Sequence, residues 1–428
     1  MHQLAFLVPD FSMRSRSQPV ALLTGAFAAL CAFAEAQPPV PVDADVPALR
    51  GQNLALVPGA ILSGGYDSNI HREGPPNGPI PATELFGVAS YQLFSRFSAV
   101  ELNAAGGAEA VSFRDLPGEG GLSWAQRASV QVGLSRVRPK ASLRYSDTYA
   151  RPSGFEIGER SRHQELNIGG GVDLRLSPRA VIGAEAHHLS LDYEGAEEYQ
   201  GSSLHETLSL DLLVATGQFS YDVTPLTTVS VMGSYDRNRF REAGLRDTDG
   251  GLAAVGVSMA RPAMLSGNGQ VGIRWFRPLH GTADTFLGVT GTANLVYARP
   301  TGTLLQFRFN RDTQFSYDPA LGYYVFTDGG VLLHFTIGGW KVGSGASHQW
   351  LDYRLAGTAA GAGRVDHRTA AGAMIGHRVG RGMEVGVNGE YAVKTGPLAF
   401  SGTRVMAYWS IGRAVLMRFD RPLPGELH

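Results

Sequence analysis

At 428 residues the chain could hold two or three ordinary domains, yet no helical periodicity or shift of composition marks a second fold. Charged residues make up only 18%, the formal net charge is −1 and Gly is frequent at 55, which excludes the clustered basic footprint of a nucleic-acid binder. Hydrophobic residues reach 43%, but beyond residue 36 no apolar run approaches the roughly 20 residues of a membrane helix, so the chain is either soluble or crosses a membrane as strands.

The N-terminus reads as a secretory signal peptide over residues 1–36. Arg14 and Arg16 supply a positive start, Val20 to Phe33 an apolar core, and Ala34-Glu35-Ala36 a small-residue cleavage site. The one cysteine, Cys31, lies inside that core and follows Leu30, which is not the small residue a lipid-anchor site requires. Its removal leaves neither a disulfide nor a thiolate site. Residues 37–53 are Pro-rich and aperiodic, an extended periplasmic leader, and residues 422–428 form a short tail after a barrel over 54–421.

Between these ends the pattern has a period of two. In Arg381 to Lys394, Met383, Val385, Val387 and Tyr391 share one side while Glu384, Asn388 and Glu390 share the other, which is a strand with one apolar and one polar face. The alternation recurs in Asn167 to Leu176, Thr228 to Asp236 and Leu304 to Arg311. Candidate strands fall at 54–66, 83–94, 97–114, 122–134, 138–149, 163–176, 179–193, 204–222, 226–241, 249–261, 266–278, 284–297, 302–315, 322–337, 339–356, 366–379, 381–393, 401–411 and 413–420. Short turns at Ser95-Arg96, Ser177-Pro178, Pro225, Arg299-Pro300 and Gly380 alternate with longer gaps at 67–82, 150–162, 194–203 and 242–248. Hairpins tight at one end and loose at the other describe a bacterial outer-membrane barrel with an even strand number. Nineteen segments are therefore one too many, with the surplus near 322–356 or at the C-terminus. The expectation is an all-β, transmembrane, antiparallel up-and-down barrel of about eighteen strands, with sixteen as the alternative, in the outer membrane of a Gram-negative bacterium.

A secreted β-sandwich or β-solenoid would also alternate. The strands here are long, their polar face carries many charges, and the apolar face is padded with Gly and Ala, which acyl chains tolerate and a packed core does not. Trp124, Trp275 and Trp409 fall on the apolar face near strand ends, where aromatic girdles sit.

No catalytic signature is present: there is no GxSxG elbow, no HExxH and no phosphate loop. His187 and His188 are adjacent and point to opposite faces, as do Ser347 and His348, so neither pair builds a metal or nucleophile site; His334 is isolated. No cofactor or metal is expected. Parity instead places Arg144, Asp173, Arg175, Asp236, Arg274, Arg308, Asn310, Glu384, Asn388, Glu390 and Arg404 inward, because a charge on the lipid face costs about 2 to 4 kcal/mol near the midplane. Inward Tyr408 and Phe276 are candidate platforms for stacking a sugar. Sixteen to eighteen strands leave an aqueous channel, so these residues would line the path of a polar solute.

The first candidate strand ends Gly64-Gly65-Tyr66-Asp67-Ser68-Asn69-Ile70, followed by His71-Arg72. Signal peptide, short leader, a first strand closing on Tyr66, Asp67 and Asn69, and a long alternating barrel together resemble the second family of putative β-barrel porins. The likeness covers nearly the whole chain after the signal, and its one local motif is four residues long. The resemblance implies an outer-membrane channel associated with exopolysaccharide export. Its implied partners are outer-membrane lipids, the polysaccharide chain, an outer-membrane polysaccharide export protein and an inner-membrane co-polymerase. Read from the residues alone, Asp67 and Asn69 face the lumen at the rim and hydrogen-bond their own backbone to start the first loop, with no solute contact required. The functional expectation is export of a secreted polysaccharide. The alternatives are a diffusion or uptake porin for small polar solutes, marked by an inward-folded loop, or a structural or enzymatic barrel. The loop at 67–82 is the candidate lid or constriction, and the chain lacks a terminal aromatic, ending instead on Phe419 plus a tail.

Overall fold

The structure is a computed structural model describing residues 49–50, 53–72, 74, 78–150, 161–199, 201–260, 264–280, 285–318, 321–355, 364–396 and 399–412. The signal segment, most of the leader, the C-terminal tail with Phe419, and the nineteenth candidate strand at 413–420 lie outside the described residues.

Eighteen long strands form the wall. They are β1 (Leu54–Asp67), β2 (Ala82–Phe97), β3 (Val100–Phe113), β4 (Gly121–Val132), β5 (Val137–Ala150), β6 (Ser161–Ser177), β7 (Ala180–Tyr193), β8 (Leu210–Thr224) and β9 (Thr227–Phe240). They continue as β10 (Thr248–Met259), β11 (Leu265–Pro278), β12 (Phe286–Ala298), β13 (Thr303–Phe315), β14 (Leu321–Ile337), β15 (Trp340–Leu355), β16 (Val365–Gly380), β17 (Met383–Thr395) and β18 (Phe400–Gly412). Each pairs antiparallel with the next, and β1 pairs with β18 from Gly59 opposite Gly412 to Asp67 opposite Arg404. The sheet closes on itself, which leaves it without an edge. The surplus segment does not come from 322–356, since that stretch is two genuine strands joined by Gly338-Gly339. Both glycines have positive φ, 57° and 89°, the conformation a tight two-residue hairpin demands.

Two differences from the sequence expectation concern local chemistry. Ser95-Arg96 is not a turn; β2 runs on to Phe97 and reverses at Ser98-Ala99. Residues 204–208 are not the start of a strand but a helix, α1 (Leu204–Leu208), preceded by a small ribbon of Glu198–Tyr199 with Ser202–Ser203. Ser203 caps α1, its hydroxyl accepting from the Glu206 amide at 3.4 Å, in the Ser-x-x-Glu arrangement that starts helices.

Connections at one end of the wall are two to five residues long, while those at the other run from four to sixteen. The short-turn end is therefore periplasmic and the long-loop end extracellular. The outward face is apolar and exposed, as at Leu62, Leu85, Ile182, Val231, Val255, Ile273 and Leu287. Trp124, Trp275 and Trp350 stand outward in the extracellular halves of their strands, and Trp340 and Trp409 near the periplasmic ends, which makes two girdles. The inward face carries the polar residues, and the two largest buried apolar clusters among the described residues gather at its extracellular end.

Candidate functional site: the lumen and its extracellular mouth

The alternation aims all the nominated charged and amide residues at the inner face, and the register decides which of them meet. Arg274 reaches Asp236 at 3.0 Å and Asp312 at 3.3 Å, and Arg308 reaches Asp328 at 3.1 Å. Glu390 pairs with Arg368 at 3.4 Å, and Lys394 with Asp366 at 3.1 Å, an acid also gripped by Arg364 at 2.7 and 3.0 Å. Arg404 donates two hydrogen bonds to Glu84, at 2.7 and 2.9 Å, across the intervening β1. The wall from β9 round to β18 is thus mixed in sign because its charges are matched pair by pair. Asn310 sits opposite Asp328 and Asn388 opposite Met406, both half-buried on the same face.

Across the lumen, the inner face of β4 to β7 carries five basic residues, Arg127, Arg138, Lys140, Arg144 and Arg175, against three carboxylates, Glu165, Asp173 and Glu185. Lys140 takes both nearby acids, Glu185 at 2.9 Å and Asp173 at 3.6 Å. Arg127 and Arg144 stand directly opposite each other in the register, and Arg138 and Arg175 follow on the same face toward the periplasmic end, where both are exposed. Like charges facing across adjacent strands destabilise a sheet, so this arrangement carries a cost that the matched wall avoids.

Neither of the nominated aromatic platforms is free to stack a sugar. Tyr408 donates to Glu384 at 2.6 Å and its hydroxyl lies over Gly376 and Gly386, where an added Cβ would come within 2.5 and 2.6 Å of it. Phe276 is buried against Phe315 and Tyr323, with ring centroids at 5.5 and 4.9 Å. His187 faces inward to Asn167 at 3.1 Å and His188 outward beside Asp211, as their adjacency requires.

At the rim, Asp67 and Asn69 are buried while Tyr66 is exposed on the outer face. Asp67 accepts from the Asn69 amide at 3.0 Å and from both terminal nitrogens of Arg72 at 2.7 and 2.8 Å, holding Arg72 at a φ of 56°. Asn69 donates to the Ser401 carbonyl at 3.0 Å. The motif thus ties the first loop to β18. Ile70 then tucks against inward Phe86, Val88, Val111 and Phe113.

The larger inward element is α1. Leu204 and Leu208, one turn apart, bury against Leu189, Leu191, Leu210, Leu212 and Val214 of the inner wall. Arg246, from the loop after β9, donates to the Thr207 carbonyl at 3.0 Å and also to the carbonyls of Ser316, in the loop before β14, and Gly322, at the start of β14. Tyr193 meets Tyr317 hydroxyl to hydroxyl. Loops rooted six strands apart therefore join across the extracellular mouth. Sequence reasoning named the loop at 67–82 as the candidate lid or constriction and missed this one, along with Glu84, Arg127, Lys140, Glu185 and Asp328; the capping pattern from Ser203 to Glu206 was its available signal.

The model of the family described as Putative beta-barrel porin 2 matches residues 55–395. The chain belongs to that family. It is an outer-membrane porin-like barrel. None of the curated proteins matches the chain. Among solved structures, this porin is similar to the outer membrane protein opdK from Pseudomonas aeruginosa, at 10% identity over 84% of this chain and 98% of that one, with a TM-score of 0.42. A BenF-like porin from Pseudomonas fluorescens Pf-5 matches at 8% identity, 84% and 99% coverage and a TM-score of 0.43. OccAB4 from Acinetobacter baumannii matches at 9%, 84%, 98% and 0.41.

Proposed function

We propose that this porin is a passive uptake channel for small polar solutes, with a preference for anions. The observation that carries this reading is the bridge of α1, Arg246 and Tyr317 across the extracellular mouth, which narrows entry without filling the eighteen-strand lumen beneath it. A long, stiff polysaccharide leaving the cell favours an unobstructed mouth, and export is for that reason the weaker reading. The anion preference follows from the excess of basic over acidic side chains on the inner face of β4 to β7, which raises the local concentration of negative solutes in a channel with low-dielectric walls.

Planar-bilayer recording of the refolded protein tests it. A steady single-channel conductance, with a reversal potential in a salt gradient displaced toward the anion, is the expected result. Block by long saccharides but no passage of small anions in liposome swelling would overturn it and return attention to export.

A further inference from the structure

On the outer face, at the extracellular end of β9 to β13, lies a second concentration of positive charge that the channel reading does not use. Arg237 and Arg277 flank Asp249 in one register row across three strands, and Arg239 stands two residues beyond Arg237 on the same face. Arg239 takes Asp249 at 2.8 Å and lies 3.8 Å from Asp247, and Asp249 lies 3.8 Å from Arg277, while Arg237 has no carboxylate within ion-pair distance among the described residues. Further round, outward Arg311 has neutral partners, the Val289 carbonyl at 3.1 Å and the Thr327 hydroxyl at 2.7 Å. Elsewhere on this outer rim charges of both signs are mixed: Asp147 with Arg162, Asp192 and Asp211 with Arg241, Asp352 with Arg354.

The position decides the ligand. Two residues below Arg277 and Arg237 on the same strands are Trp275 and Tyr235, with ring centroids 6.3 Å apart, in the aromatic girdle that marks the level where acyl chains give way to headgroups. Guanidinium groups just above that level meet the outer-leaflet headgroup layer, and their planar fork of donors matches phosphate oxygens. We propose that this patch is a docking site for a phosphorylated glycolipid of the outer leaflet, with Arg237 and Arg277 clamping its phosphate and Trp275 and Tyr235 bracing its acyl region.

The test uses the full-length protein in detergent, with native mass spectrometry as readout and three probes: a bis-phosphorylated, multiply acylated glycolipid, the same glycolipid with its phosphates removed, and inorganic phosphate. The phosphorylated glycolipid should be retained at least tenfold more strongly than the dephosphorylated one. The Arg237→Gln, Arg277→Gln pair should abolish about tenfold of that preference, the scale of one charged hydrogen bond, while Arg354→Gln on β15, outside the patch and paired with Asp352, leaves it intact. Equal retention of the two glycolipids, or a preference that survives the double substitution, overturns the proposal. So does displacement by millimolar inorganic phosphate, which would mark a free-anion site. Heat-modifiable migration of the folded barrel verifies each variant, and the glycolipid comparison on the unsubstituted protein stands even if a variant fails to fold.

Discussion

Tyr193, the last residue of β7, and Tyr317, just past the end of β13, hold each other hydroxyl to hydroxyl at 3.1 Å with their rings nearly perpendicular, although five strands of wall separate their backbones. A contact that spans a third of the circumference crosses the opening. Arg246 runs the same course, stacked 5.1 Å over Phe240 and tied to carbonyls on both sides.

The first prediction concerns this bridge. Arg246→Ala removes the hydrogen bonds that join the α1 loop to the far loops, while the leucines of α1 keep their place on the wall. Single-channel conductance should rise and its open-state noise increase, with the fold intact by heat-modifiable migration. Unchanged conductance and noise would show that the bridge does not limit the path.

A second prediction tests how the lumen is kept clear. The Tyr408 hydroxyl and the Glu384 carboxylate occupy the space over Gly376, where a new Cβ would lie 2.5 and 2.7 Å from them. Both obstacles are ends of side chains rather than backbone, so Gly376→Ala should leave the barrel folded and push Tyr408 into the channel. Conductance should fall, and Tyr408→Ala in the same background should restore it. A fall that Tyr408→Ala fails to rescue would mean that the wall itself had moved.

The charge imbalance gives a third. Arg127→Glu reverses one member of the facing arginine pair, so the salt-gradient reversal potential should shift toward the cation by several millivolts; the same reversal at Arg308, already matched by Asp328, should act mainly on stability. Equal shifts from the two would remove the distinction between the walls.

A fourth concerns closure. Glu84→Gln leaves Arg404 buried in the inner wall without its carboxylate, at a cost of about 3 kcal/mol. The temperature at which the folded band is lost on semi-native gels should drop. Replacing both residues with Leu should recover much of that loss, because the desolvation of two charges is then avoided.

The wall was legible because water on one side and acyl chains on the other impose a period of two at every strand, and a single residue such as Arg308 or Asp236 then has only one place to point. The pairing of those charges was not, because it depends on register between strands, which alternation within one strand does not contain. The helix was missed for a related reason. Leu204, Leu208, Leu210 and Leu212 are all even-numbered, so the spacing that puts two leucines on one helical face also continues the parity of β8, and the strand reading absorbed it. Phe276 pointed inward as expected but lost its exposure to neighbours, Phe315 and Tyr323, which come from strands and loops distant in sequence.

The seam between β1 and β18 also has a consequence in time. Gly59 and Gly412 lie at opposite ends of the barrel sequence, so their ladder is the contact of greatest sequence separation in the wall, and loop-closure entropy delays such contacts most. Until the final strand arrives, β1 and the growing opposite margin are bare templates for pairing with another chain. Asp67, Asn69 and Arg404 gather where the last strand meets the first, which makes them a latch that engages only once the barrel is complete.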